Sequence, residues 1–164
     1  LYLQAKNFTH LRVARGTSEP GSFGLIVGDP LVAAVKRQVP GARGYAVQVL
    51  FLNTHGRCAK NRKKLQYPAD ATAQSAPTGR DDVVKRLEAQ SAACPQQKFA
   101  LVGYSQGAMV MRMAAPKIPA AIHSKILALE MFGDPGLRGG RLSSFPGDLN
   151  SRLYENCAKG DPVR

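Results

Sequence analysis

The pentapeptide Gly103-Tyr104-Ser105-Gln106-Gly107 sets a hydroxyl between two glycines in the spacing G-x-S-x-G. Nucleophilic attack by serine needs a side chain lifted out of regular backbone, and this spacing provides it. The serine occupies a strained strand-to-helix turn, and the glycines let strand and helix pass closely. A helix beginning at that turn would aim backbone N–H groups at a developing oxyanion. A serine also needs an imidazole to take its proton and a carboxylate to orient that imidazole. Two aspartates stand where a carboxylate could serve: Asp134, in a Gly-Asp-Pro after an apolar run, and Asp161, near the C-terminus. Spacing alone does not separate them. The histidines are His10, His55 and His123. The chain order of such hydrolases is Ser…Asp…His, which none of the three satisfies if Asp161 is the acid. All three read as surface or strand-end residues.

The elements that must position the serine follow from apolar spacing. Leu11–Ala14 reads as a buried strand, and the apolar spacing through Val39 reads as a helix beginning near Asp29, with Pro30 in its first turn. Tyr45–Leu52 alternates as a second strand. Thr78 and Asp81 resemble a capping box opening a helix that ends before Pro95. Phe99–Val102 is a third strand, Ser105–Ala115 an apolar helix stopped by Pro116, Ile126–Phe132 a fourth strand and Leu153–Cys157 a fifth. Strands alternating with helices predict an α/β domain with a mostly parallel sheet. Ser105 then falls at the carboxyl end of a strand, where ligands bind in such sheets.

The 164 residues, 44% hydrophobic and 21% charged, suit one globular domain and exclude a disordered chain. No apolar run reaches the length of a membrane span, so integral membrane association is not expected. A net charge of +12 raises the question of nucleic acid. Five of those charges, Arg57, Lys60, Arg62, Lys63 and Lys64, cluster in residues 49–66 without an acid. No zinc spacing or aromatic-interleaved basic motif accompanies them, so the stretch reads as a solvated loop and nucleic acid is not an expected partner. Three cysteines, Cys58, Cys94 and Cys157, with no CxxC argue against a metal site and leave one thiol over from any disulfide.

Several segments in order carry a family likeness: Ala14-Arg-Gly-Thr-Ser-Glu19, Cys94 eleven residues before the serine, Gly103-Tyr-Ser-Gln-Gly-Ala108, Phe132-Gly-Asp-Pro135 and Cys157-x-x-x-Asp161. Together they resemble the cutinase family of secreted serine esterases, which includes acetylxylan esterases. The resemblance implies a small α/β-hydrolase fold with a central five-stranded parallel sheet. It implies Ser105 as nucleophile, Asp161 rather than Asp134 as triad acid, and the N–H groups of Thr17 and Gln106 as the oxyanion hole, helped by the Thr17 hydroxyl. Glu19, Pro20 and Gly21 would then shape a shallow cleft. It implies a monomeric, extracellular enzyme that takes a polyester, lipid or acetylated polysaccharide ester and uses no cofactor or metal.

The chain also departs from the family pattern. The family's histidine lies about a dozen residues past the Asp161 position, whereas this sequence is written to Arg164, so the expectation is a domain incomplete at its C-terminus. The family partners of Cys94 and Cys157 would fall near Ala5 or Lys6 and at Arg164, none of which is cysteine; a Cys58–Cys94 bridge is the remaining option. Residues 49–66 read as a non-family insert. Removing them joins Gln48 to Tyr67 and rebuilds a strand followed by the family's Tyr-Pro-Ala turn. Eighteen codons that can start GT and end AG match an unspliced short intron, the alternative being a true basic surface loop.

Overall fold

The computed structural model describes residues 9–49, 65–138 and 144–161. Strands β1 (Thr9–Ala14), β2 (Arg43–Ala46), β5 (Lys98–Tyr104), β6 (Ile126–Phe132) and β7 (Leu153–Asn156) form one five-stranded sheet in the order β2-β1-β5-β6-β7. Every pairing in it is parallel. A separate two-residue antiparallel ladder joins β3 (Gln48–Val49) to β4 (Leu65–Gln66). The helices are α1 (Gly28–Gln38), α2 (Ser75–Ala93), α3 (Gln106–Ala114) and the single turn α4 (Ala120–His123).

Parallel strands must be joined by crossovers that cover the sheet faces, so both faces need apolar side chains. The period-two alternation of the central strands β5 and β6 supplies most of them. On one side Ala14, Phe99, Leu101, Leu129 and Met131 pack with Val83 and Leu87 of α2 and Val110 and Met111 of α3. On the other, Leu11, Val13 and Val102 pack with Val32 of α1.

Two sequence expectations need correcting. The second strand begins at Arg43 rather than Tyr45, and it breaks at Val47, after which Gln48–Val49 leaves the sheet. The supposed capping box is inside a helix: α2 starts at Ser75, and the Thr78 hydroxyl donates to Gln74 O at 2.7 Å, four residues back. A threonine hydroxyl can bond that way within a helix as readily as it caps one, so the spacing was ambiguous. His10 stands at the start of β1, as a strand-end residue, and is buried there, its ring 4.5 Å from that of Tyr45. Of the stretch 49–66, expected to be an insert, residues 50–64, including His55 and Cys58, lie outside the described residues.

The strand order has one consequence for function. The connection leaving β1 runs to β2 on one side, while that leaving β5 runs to β6 on the other. Between the carboxyl ends of β1 and β5 the order therefore reverses, which opens the crevice where α/β sheets hold ligands. Ala14 pairs with Gly103, Tyr104 with Phe132, and Phe132 with Asn156, so all these strands finish at one edge.

Candidate active site

Ser105 stands at that switch point, between β5 and α3, with φ 52° and ψ −116°. A non-glycine residue with positive φ is strained, and such strain persists only where its surroundings hold it. Here Ser105 N donates to Phe132 O at 2.9 Å, and its carbonyl accepts from Ala108 N at 2.9 Å. The two glycines have the steric role their spacing predicts. A methyl group on Gly103 would lie 2.5 Å from the Ala108 Cα, and one on Gly107 only 2.0 Å from Ala14 O. The start of α3 therefore presses against the end of β1, which brings the loop after β1 beside the serine.

That loop is fastened from within. The buried Glu19 carboxylate accepts from Gly16 N at 2.7 Å through Oε2 and from Ile26 N at 2.9 Å through Oε1. Ser18 N donates to Ala69 O at 2.6 Å, with both Ser18 and Ala69 at positive φ. The Tyr67 hydroxyl donates to Arg15 O, and the Arg15 guanidinium reaches Gly21 O at 2.7 Å and Pro68 O at 3.1 Å. Burial, more than any neighbouring charge, pushes the Tyr67 phenol far above its usual range, so it remains a donor. Thr17, in the middle of this braced loop, is exposed.

Gln106, first residue of α3, is held by its side chain. Its Nε2 donates to Asp70 O at 2.6 Å, and its Oε1 accepts from the Ser75 hydroxyl at 3.0 Å. The start of a helix leaves N–H groups without intrahelical partners. The Thr17 loop, Ser105 and the start of α3 thus share one edge, with Tyr104 in contact with the loop: a methyl on Gly16 would lie 2.9 Å from its ring.

The two aspartates differ in kind. Asp134 is fully buried, its Oδ2 accepting from Arg112 Nε at 2.6 Å and its Oδ1 from Gly136 N at 2.7 Å. Arg112, itself buried within the apolar α3, also pairs with Glu155 of β7. A methyl on Gly136 would lie 2.2 Å from Arg112 Cδ, so only glycine leaves room for this side chain. Asp134 is therefore more than the turn residue its Gly-Asp-Pro context suggests. Asp161 is half-buried after β7, its Oδ2 3.2 Å from where a methyl on Gly133 would stand, with the Tyr104 ring 3.4 Å from that point. It lies along the same edge as Ser105.

Both described histidines are at the other end of the sheet. His10 pairs in register with Phe99, six residues before Ser105, or about 20 Å along the strand. Burial, reinforced by Arg12 and Arg43, lowers its pKa to about 4, so it is neutral at pH 7. His123 precedes β6, with Nε2 3.2 Å from Ile118 O and Nδ1 3.7 Å from Asp148. Cys157, four residues before Asp161, is a free thiol. No helix among the described residues is long and apolar enough to cross a membrane.

Sequence reading missed Arg112 as a buried ion-pair partner, the bracing of Gln106 by Ser75, and the Tyr67–Arg15 contact. Arg112 carried a signal, a lone cation inside an apolar helix; the other two depend on tertiary contacts.

The cutinase family profile matches residues 6–164. The chain is 32% identical over 153 residues to Cutinase CUT1 of Coprinopsis cinerea, covering 92% of this chain and 66% of that one. It is 30% identical to Phospholipase Culp4 of Mycobacterium tuberculosis, covering 92% and 63%. It thus spans just under two thirds of the length of these relatives. Trichoderma reesei cutinase in complex with a phosphonate inhibitor superposes with a TM-score of 0.68 at 27% identity, covering 94% of this chain and 62% of that one. On the profile match over nearly its whole length and on this shared fold, the chain belongs to the cutinase family.

Proposed function

We propose that the protein is a serine-type carboxylic ester hydrolase, with Ser105 as nucleophile, Asp161 as triad acid, and the N–H groups of Thr17 and Gln106 as the oxyanion hole. The observation that carries this reading is the positive-φ turn of Ser105 at the switch point, beside a loop and a helix start that are each fastened by their own side-chain bonds. Donors held in place before reaction stabilise a developing charge without reorganising. Ser105 Oγ attacks the ester carbonyl while its proton passes to an imidazole. The tetrahedral oxyanion rests on the two N–H groups, and its collapse expels the alcohol with that proton. Water then repeats the sequence on the acyl-enzyme and releases the acid.

The imidazole, as the resemblance implies, belongs about a dozen residues after Asp161. A cutin-like polyester or short-chain ester is the proposed substrate. The acetyl groups of xylan are the alternative within the same chemistry. The protein acts as an extracellular monomer, with Cys58 and Cys94 as its available disulfide pair and residues 49–66 as an insert outside the family pattern. A catalytically silent member that binds lipid or polymer surfaces is the second reading. It is favoured by one observation, that His10 and His123 both stand far from Ser105.

The test is hydrolysis of p-nitrophenyl butyrate by the protein as written and by a version carrying a histidine a dozen residues after Asp161. The esterase reading expects trace turnover from the first and full turnover from the second, lost again on Ser105→Ala. No turnover from the extended protein would favour the silent reading.

A further inference from the structure

Among the described residues four large apolar side chains are exposed, and two of them are adjacent: Leu25 is 65% exposed and Ile26 63%. They cap the run of turns between β1 and α1, and the chain is tied down on either side of them. Gly24 and Gly28 are buried, and methyl groups there would lie 2.2 Å from Glu19 Oε2 and 2.0 Å from Phe23 O. Asp29 N donates to Gly24 O at 2.9 Å. Two large aliphatic side chains are thus held outward on a closed, braced turn.

The same turn is wired to the oxyanion loop. One oxygen of the buried Glu19 carboxylate accepts from Ile26 N and the other from Gly16 N, next to Thr17. A single carboxylate therefore fixes the aliphatic tip relative to the proposed oxyanion donors.

The identity of the occupant follows from area and chemistry. Two side chains expose far less than the roughly 800 Å² per partner that a stable protein–protein interface buries, which argues against a second copy. A projecting aliphatic tip suits partial insertion into a continuous apolar phase, where no complementary pocket is needed. No lysine or arginine lies between Arg15 and Lys36, so the segment offers nothing for anionic headgroups. We propose that Leu25 and Ile26 form a docking tip that seats the protein on an uncharged, water-insoluble ester surface. Glu19 then sets the Thr17 loop at a fixed offset from that surface. This proposal rests on the esterase reading for its substrate.

The chain contains no tryptophan, so Leu25→Trp gives a single reporter. Its emission should shift to the blue when uncharged polycaprolactone nanoparticles are added in 0.5 M salt, where attraction of the positive chain to stray surface charge is screened. In parallel, Leu25→Ser/Ile26→Ser should sediment with the particles at least tenfold more weakly than wild type, about 1.4 kcal/mol. Its melting temperature should be unchanged, because both residues are already solvated. Tyr154→Ser, which removes another exposed apolar side chain, should sediment as wild type. An unshifted tryptophan spectrum would overturn the proposal. So would sedimentation unaffected by the double substitution, or equal weakening by Tyr154→Ser. Turnover of soluble p-nitrophenyl butyrate is read separately, in the protein carrying a histidine a dozen residues after Asp161: its absence refutes the esterase reading alone, and its persistence beside unaltered particle binding in the double variant refutes the docking tip alone.

Discussion

Replacing Asp134 and Asp161 by asparagine, one at a time, tests the proposal that Asp161 is catalytic and Asp134 structural. Asp134 and Arg112 face each other at 2.6 Å with side chains no more than 1% exposed. Removing one member of such a pair leaves the other as a buried charge, at a cost of about 3–5 kcal/mol. Glu155 would still hold the Arg112 guanidinium, so the lower end applies and Asp134→Asn should lose about 3 kcal/mol. For a domain of this size that lowers the melting temperature by roughly 6–12 °C. Asp161 is half-buried on the rim, so Asp161→Asn should melt within about 2 °C of the parent, a surface-type change of about 0.5 kcal/mol. Activity should run the other way. In a protein carrying the triad histidine, Asp161→Asn should lower kcat on p-nitrophenyl butyrate by about 10⁴-fold, because the imidazole loses its orienting partner. Asp134→Asn, assayed well below its own midpoint, should stay within about threefold, less than 1 kcal/mol of barrier. Urea titration and steady-state kinetics on the two variants read both quantities. A stable Asp134→Asn with abolished turnover, beside an active Asp161→Asn, would refute the assignment.

Two further outcomes follow from the packing. His10 has a folded pKa of about 4 against an ordinary 6.5, mainly through burial. The stability it contributes is therefore complete above pH 6.5 and lost as pH falls towards 4, a loss of up to roughly 3 kcal/mol. Urea midpoints at pH 7, 5.5 and 4.5 should fall less steeply in His10→Phe; identical slopes would contradict the argument. Gly107→Ala would place a methyl 2.0 Å from the Ala14 carbonyl oxygen, a backbone atom that cannot swing aside. It should destabilise by about 1–3 kcal/mol and depress turnover at Ser105 further than that loss of stability explains, as measured by kcat below the transition.

How much of this was legible beforehand depended on the range of the interactions. The strands around Ser105 and the helix after it were readable because apolar period and the G-x-S-x-G glycines act over a few residues, and β6 was found with its observed ends. Thr78 misled because its hydroxyl has a partner four residues back in a helix as well as in a cap. The second strand was misjudged because alternation continues past Val47 while pairing passes to a different ladder, and pairing is a tertiary property. At the candidate site, the strained strand-to-helix turn at Ser105 was evident from local sequence. The bracing by Glu19, Tyr67 and Ser75, and the burial of Asp134 against Arg112, join residues up to 52 positions apart, which no window can see.

The central claim is that Ser105 is the reactive nucleophile at the β1/β5 switch point. The most direct measurement is to treat the protein carrying the triad histidine with a fluorophosphonate probe and locate the adduct by tandem mass spectrometry. One adduct per chain is expected, on the peptide containing Ser105, and it should be absent from Ser105→Ala. An adduct on any other serine, or continued esterolysis by Ser105→Ala at the parent rate, would contradict the account.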